Sequence, residues 1–338
     1  MSKRGALGIF LCLCVPTSAS PQASVRVERS VYLMGTRATL VADAVDRAAG
    51  LARLEQMVRI LEGTEAELST WRDDSALSAL NRQAVDVPWV APRTLCALLG
   101  ELETWHRETG GAFDPAIGSL IGVWSLRTGG RQPTPHELLA ATARAGFRHL
   151  RIDTERCTVV RHADVVVDAG AFGKGEALRR VREVDDGRAG AWLVDLGGQV
   201  GVAGVQPGEA WPIAIAHPVR RDHPVVDLSL NHGSLATSGG SERDLIVGGA
   251  RVGHILDPRT GHTVVRRASV SVWHDDPLAA DVLSTSLYVM GVDAGLEWAE
   301  ARGIAASFIA PAAGAAVDSG SDAVNVRSTT AFRMRFPR

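Results

Sequence analysis

Apolar and polar positions divide the chain into an early helical part and a middle dominated by strands. Residues 25–41 alternate with the period of two expected of strands, around Met34-Gly35-Thr36. The period changes over 44–68, where Leu51, Leu54, Val58 and Leu61 form a helical stripe. Residues 69–81 are polar and turn-rich around Trp71. The stretch 92–109 reads as a second helix, with Pro92 in its first turn and Gly110-Gly111 ending it. Thr134-Pro135-His136-Glu137 spells a capping box, so a helix should run from there to about Ala145.

Strands are predicted next at 147–152, 157–161 and 165–168, followed by a helix over 175–184. Two further strands, 191–196 and 200–204, flank a Gly197-Gly198 turn. The β pattern continues at 211–216, 225–230, 244–247 and 251–256, the last two joined at Gly248-Gly249, and again at 269–273. Helices are expected at 278–290 and 294–302 and a strand at 304–309. The tail from Pro311 is rich in Ala, Gly, Ser and Asp, with a last strand expected at 329–336. Early helices, clustered strands and hairpin-length links predict an α+β fold: mostly antiparallel sheets flanked by helices, not a doubly wound parallel sheet. No Pro/Ser-rich linker interrupts residues 24–338, which are read as one domain of two intimate lobes.

Composition narrows the function classes. The 338 residues are 46% hydrophobic and 22% charged, which excludes a mainly disordered chain. A net charge of −2 provides no basic footprint for nucleic acid. No internal apolar run reaches the roughly 18 residues that span a bilayer. Lys3 and Arg4 precede a short apolar run over 6–16, and small residues follow at Thr17-Ser18-Ala19-Ser20. This is the layout of an export signal over about residues 1–23, with cleavage after Ala19, Ser20 or Ala23. Neither Cys12 nor Cys14 follows the small residues a lipid anchor requires. A soluble periplasmic protein is expected, with association to the inner membrane left open. Cys96 and Cys157 remain; export permits a disulfide between them, while the apolar helical setting of Cys96 favours a buried free thiol.

Of the 36 Lys and Arg residues only two are lysines, Lys3 and Lys174. Lys174 lies in Val165-Val166-Val167-Asp168-Ala169-Gly170-Ala171-Phe172-Gly173-Lys174-Gly175, read as a strand, a glycine-rich loop and a helix start. Such a loop presents backbone N–H groups to an anion, and a lysine adds a point charge. The segment fits neither a Walker A loop nor GxGxxG. The same residues also fit a plain glycine turn with a solvated lysine. His254-Ile255-Leu256-Asp257-Pro258-Arg259-Thr260-Gly261 places a histidine before a turn, either as an acid/base group or as a surface residue at a hairpin end. Asp281 and Thr285 lie four apart on one helix face. They suit the sparse oxygen set of Mg²⁺, although Asp281 also reads as an N-cap. Gly111-Ala112-Phe113-Asp114-Pro115 is a candidate loop or a simple turn. Thr237-Ser238-Gly239-Gly240-Ser241-Glu242-Arg243 has no nucleophile elbow. His217, His223, His232 and His262 read as surface residues.

Taken in order, these segments resemble the ApbE family of FAD:protein FMN transferases. The matching pieces are Met34-Gly35-Thr36, Ser69-Thr70-Trp71-Arg72 with Ser75 and Asn81, Gly111 to Pro115 with Trp124, and Asp168 to Gly175. Leu196-Gly197-Gly198, Thr237-Ser238-Gly239, His254 to Gly261, and Asp281 to Thr285 with Gly291 complete the set. The resemblance implies an enzyme that takes FAD as substrate and requires Mg²⁺. It implies transfer of FMN to a Ser or Thr hydroxyl of a partner flavoprotein, with loss of AMP. The implied acceptor is an exported or membrane-attached redox subunit of the Nqr or Rnf kind. It further implies that Met34, Trp71, Ala112, Phe113, Asp114, Asp168, Lys174 and Ile255 contact FAD. Asp281, Thr285 and the backbone oxygen of Ala171 would ligate Mg²⁺, with His254 as the base. Gly173 and Gly240 depart from the family pattern, which often has Ala and an acidic or polar residue there. The chain has no evident acceptor sequence of its own, so self-flavinylation is not expected. The rival readings are an FAD pyrophosphatase and a non-catalytic periplasmic flavin-binding protein.

Overall fold

The computed structural model describes residues 24–240, 244–312 and 323–337. The expected export signal, and Ser241 to Arg243 of the fifth motif, lie outside the described residues. Strands β1 (Val25–Leu33) and β2 (Thr36–Ala44) form a hairpin whose two-residue turn holds Met34 and Gly35, both left-handed at φ +51° and +68°. Helix α1 (Arg47–Leu68) follows, capped by the Asp46 side chain on the Ala49 N–H. Its inner face runs through Gly50, Leu54, Met57, Val58, Leu61 and Leu68. Leu51, expected on that stripe, is rotated off it and is exposed.

The next part is mainly helical: α2 (Ala76–Asn81), strand β3 (Trp89–Val90), α3 (Arg93–Glu108), α4 (Gly118–Val123) and α5 (Pro135–Arg144). Pro92 caps α3 from outside rather than sitting in its first turn. The capping box of α5 forms as read, with Thr134 and Glu137 exchanging side-chain-to-backbone bonds. Strands β4 (Leu150–Asp153) and β5 (Thr158–Arg161) join β3 in a small sheet ordered β3-β5-β4. Residues 147–149 form a 3₁₀ turn where a strand was expected.

Residues 165–168 join no sheet, which corrects the predicted strand. Their backbone is satisfied locally instead. The Asn81 amide donates to the Val167 carbonyl at 2.9 Å and accepts from its N–H at 2.8 Å, and the Asp168 N–H reaches the Pro115 oxygen at 2.8 Å. Helix α6 (Gly173–Val184) begins immediately after the loop that follows.

The large sheet then completes itself. Its members are β6 (Trp192–Leu196), β7 (Gln199–Ala203), β10 (Gly233–Gly239), β13 (Ser269–His274), β14 (Ala305–Pro311) and β15 (Val324–Ser328). They continue from the first hairpin in the order β1-β2-β6-β7-β10-β13-β14-β15. Two hairpins lie outside it: β8 (Trp211–Ala216) with β9 (Pro224–Leu230), and β11 (Leu245–Val247) with β12 (Ala250–Val252). Helices α7 (Pro277–Met290), α8 (Val292–Glu300) and α9 (Thr330–Arg335) end the chain. Every strand pairing among the described residues is antiparallel. The α+β expectation therefore holds.

Three departures concern the later half. β10 was missed because Gly, Ser and Thr hide the alternation, yet it occupies the middle of the large sheet. β12 ends at Val252, so His254 sits in the loop beyond it. Residues 330–335 are helical, not a strand: the Thr329 side chain accepts from the Phe332 N–H and starts α9.

Helices α1, α6 and α7 cover one face of the sheet, and the β8–β9 hairpin with α9 covers the other. Leu40, Leu54, Leu61 and Trp192 are fully shielded between α1, α6 and β2–β6. Each such aliphatic side chain contributes roughly 1.5–3 kcal/mol. Helix α7 is apolar almost all round and is buried from Pro277 to Val289 apart from Thr285. A carboxylate inside such a helix, Asp281, is therefore unusual and calls for a chemical reason. Among the described residues no helix is long and apolar enough to cross a membrane.

Candidate active site

A cavity of about 1170 Å³ opens between the helical part and the large sheet. All twelve candidate site residues line it: Met34, Trp71, Ala112, Phe113, Asp114, Asp168, Ala171, Lys174, His254, Ile255, Asp281 and Thr285. Small-molecule sites usually occupy about 300–1,000 Å³, so this one lies somewhat above that range.

Asp281 is held by a close approach of two helices. A Cβ built at Gly175 would stand 2.6 Å from the Pro277 oxygen and 2.7 Å from the Asp281 Cβ, so only glycine lets α6 lie this near α7. The contact puts the Gly175 N–H 2.8 Å from Asp281 Oδ2, at the positive end of α6. Burial pushes the Asp281 carboxyl above its ordinary range, and the Lys174 cation with the first amides of α6 pulls it back. Asp281 is not an N-cap: that role belongs to Asp276, which accepts from the Leu278 N–H at 3.0 Å.

Thr285, one turn further on, has its Oγ1 3.2 Å from Ser238 Oγ of β10, which also lies 2.9 Å from Ser284 Oγ. Asp281, Thr285 and Ala171 line one cavity, and a carboxylate, a hydroxyl and a backbone carbonyl from them would make an all-oxygen set with a single full charge. Such a set fits Mg²⁺, which takes few protein ligands, and lacks the nitrogen and sulfur donors of a zinc site. Among the described residues no cluster of three His, Cys, Asp or Glu offers an alternative metal cage.

His254 faces the cavity from the loop after β12. Its Nδ1 lies 3.1 Å from Asp244 Oδ1, which also accepts the His254 backbone N–H at 3.1 Å. With Nδ1–H donating to the Asp244 carboxylate, the neutral imidazole carries its lone pair on Nε2. Asp244 is almost fully buried (2% of its side chain exposed), and its Oδ2 has no hydrogen-bond partner among the described residues. The departure at Gly240 has a consequence here: a Cβ there would come within 2.7 Å of Asp244 Oδ2 and 2.9 Å of Tyr288 Oη.

The remaining residues form the walls. The Met34 N–H is pinned by Glu65 Oε1 at 2.8 Å, which fixes the hairpin turn against α1. Ala112 and Phe113 are buried, and Ile255 packs in the apolar cluster behind α7. Asp114 lines the cavity and is also tied into its own loop. Its oxygens accept from the Ala116 N–H at 2.8 Å and the Phe147 N–H at 3.0 Å, with His106 at 3.3 Å, so the carboxylate holds its own loop together. Burial raises its pKa, and the His106 charge and those amides oppose the rise. Trp71 is mostly exposed at the rim, and Asp168 Oδ1 closes a local turn on the Gly170 N–H at 2.9 Å.

One histidine reading is overturned. His217 is buried, lines the cavity, and accepts the Val219 and Arg220 N–H groups on Nδ1 at 3.1 and 3.0 Å. His223, His232 and His262 are exposed, as expected. Cys96 and Cys157 are both free and buried. Sequence reasoning missed Asp244, one residue past the motif that ends at Arg243, and Arg127, three past Trp124. Neither carries a local pattern; each acquires its place only through folding.

The model of the ApbE family matches residues 34–308. A curated FAD:protein FMN transferase of Treponema pallidum is 33% identical over 330 residues, covering 90% of this chain and 91% of that protein. The protein of the same description from Haemophilus influenzae is 30% identical over 267 residues, covering 75% and 77%. Among solved structures, the apo flavinyl transferase ApbE of Pseudomonas stutzeri superposes with a TM-score of 0.81 at 26% identity, covering 93% of this chain and 98% of that one. The flavin transferase ApbE of Vibrio cholerae gives 0.77 at 27%, covering 92% and 99%. By sequence and by fold, the chain belongs to the ApbE family.

Proposed function

We propose that this enzyme is an FAD:protein FMN transferase that moves the FMN half of FAD onto a Ser or Thr hydroxyl of an acceptor protein, with Mg²⁺ present and AMP released. The observation that carries the reading is the meeting of Lys174, His254 and Asp281, from three distant segments, around one cavity. A diphosphate needs cationic partners, and the Lys174 ammonium at the start of α6 supplies one. A serine hydroxyl is a weak nucleophile without a base, and His254 Nε2 supplies one. As the acceptor Oγ–H gives its proton to Nε2, Oγ bonds to the FMN-side phosphorus. The bond from that phosphorus to the bridging oxygen breaks, and AMP departs with that oxygen. The imidazolium formed on His254 is stabilised by Asp244 behind it. Asp281, Thr285 and the Ala171 carbonyl would hold Mg²⁺, which when bound neutralises diphosphate charge. Met34, Trp71, Phe113 and Ile255 offer apolar and aromatic surface to the ring systems.

The acceptor is read as an exported or membrane-attached redox flavoprotein subunit of the Nqr or Rnf kind, met in the periplasm. The charged, apolar and small-residue order of positions 3–20 supports that location. Incubating a candidate acceptor with the enzyme, FAD and MgCl₂, then weighing it by mass spectrometry, tests the reaction. A gain of one FMN phosphoryl group, with AMP in solution, is expected. Free FMN and AMP without an adduct would make the chain a pyrophosphatase; bound FAD without AMP would make it a flavin carrier.

A further inference from the structure

Arg127 belongs to none of the motifs above, yet it ties two of them together. It lies beyond α4, past a left-handed Ser125, and its guanidinium reaches the rim of the cavity. There Nη2 donates to Thr70 Oγ1 at 2.6 Å and ion-pairs with Asp168 Oδ2, while the guanidinium carbon sits 4.8 Å from the centre of the Trp71 ring. Thr70 Oγ1 is itself 3.3 Å from Asp168 Oδ2, so the three side chains and the cation form one closed set.

The Trp71 side needs such a partner. The ring is 71% exposed, and its backbone N–H to Ser69 Oγ says nothing about where the indole points. An exposed indole on a loop samples several rotamers, and fixing it on binding costs side-chain entropy. A guanidinium is planar, stacks on aromatic faces and at the same time forks toward a carboxylate, which a lysine cannot do. Arg127 covers one face of Trp71 and leaves the other for a planar ring of the substrate.

We infer that Arg127 is a positioning residue for the dinucleotide: it presets the Trp71 ring and the Asp168 carboxylate in the relative arrangement that FAD meets. The inference rests on the proposed use of FAD. Because the set is assembled before substrate arrives, its loss falls on affinity more than on the transfer step.

The test compares the full chain with Arg127→Ala and Arg127→Lys, measuring FAD affinity by flavin fluorescence and steady-state kinetics with a flavinylated acceptor as readout. Arg127→Ala should weaken FAD binding and raise KM about tenfold, with kcat falling by much less. Arg127→Lys, which keeps the charge near Asp168 but not the stack, should recover only part of the affinity. Should Arg127→Ala not fold, judged by its thermal transition, Arg127→Lys and Trp71→Ala carry the comparison, and both should show the same KM-weighted loss. Unchanged affinity in the variants overturns the role. Tighter binding also overturns it, since the guanidinium would then be occupying the substrate's place. A wild-type chain that binds no FAD overturns the FAD reading together with this one; a wild-type chain that binds FAD as well as the variants do removes Arg127 alone.

Discussion

His254 and Asp244 stand ten residues apart in sequence and share two hydrogen bonds at 3.1 Å, because the β11–β12 hairpin folds the chain back on itself between them. The pair turns an ordinary imidazole into an oriented one. One ring nitrogen is tied to a buried carboxylate, and the ring lines the cavity. Asp244→Asn would offer Nδ1 an amide that can donate as well as accept, so the wrong tautomer becomes available. The transfer rate at saturating FAD should fall about 100-fold, and His254→Ala should lose about 10²–10⁴-fold. FAD affinity should hardly change in either. Rapid-quench measurement of adduct formation checks this, and a full-speed Asp244→Asn enzyme would remove the dyad from the mechanism.

The approach of α6 to α7 makes a second prediction. Gly175→Ala inserts a methyl where 2.6–2.7 Å is available against backbone and Asp281. Overpacking of this sort costs about 1–3 kcal/mol, and here it also pushes Asp281 off the α6 amides. The variant should melt lower and need more Mg²⁺ for half-maximal transfer. Asp281→Ala should be inactive at any Mg²⁺ level, as wild type should be in EDTA until Mg²⁺ is restored. Asp281→Ala activity equal to wild type would rule out the carboxylate as the metal's anchor.

These two sites show how far the sequence could be read. Lys174, His254 and Asp281 were legible because unusual residues sat in recognisable settings: a solitary lysine after glycines, a histidine before a turn, a carboxylate in an apolar helix. The antiparallel α+β architecture followed from alternation and short links. Asp244 and Arg127 were not legible, since their partners are fixed by a hairpin fold and by a loop crossing between segments. The run at 165–168 looked like a strand because Val-Val-Val has strand character, but its hydrogen bonds go to Asn81, Pro115 and Gly118, not to a neighbouring strand. His217 looked like a surface residue because nothing nearby in sequence shows that its ring caps the backbone of its own loop.

That ring makes stability depend on pH. Burial, with the charges of Arg220, His223 and Arg267, lowers the His217 pKa below its ordinary 6.5. The unfolded chain then binds the proton more readily than the native one, so stability rises with pH in this window. The contribution is fully present above about pH 6.5 and is lost as pH falls toward the lowered native value. Protonation also removes the Nδ1 acceptor for the Val219 and Arg220 N–H groups. His217→Asn keeps an acceptor oxygen near the Nδ1 position but does not titrate. Thermal melts from pH 8 to pH 5 should therefore show a smaller decline for His217→Asn than for wild type; parallel declines would exclude His217 as a source.

Cys96 and Cys157 should be chemically quiet. Cys96 sits on α3 in an apolar cluster shared with Cys157, and burial, with Cys157 as a close neighbour, pushes its pKa up to about 11. Thiolate is the reactive form, so at pH 8 only a small fraction of Cys96 can react even when a reagent reaches it. Each sulfur also lies 3.7 Å from a backbone carbonyl, Asp153 for Cys96 and Thr154 for Cys157. Iodoacetamide at pH 8 should label neither residue in the native protein within minutes, and both at once in guanidinium chloride. Peptide mapping of the alkylated chain distinguishes them from Cys12 and Cys14. Rapid native labelling of Cys96 would show that the α3 cluster opens far more often than its packing allows.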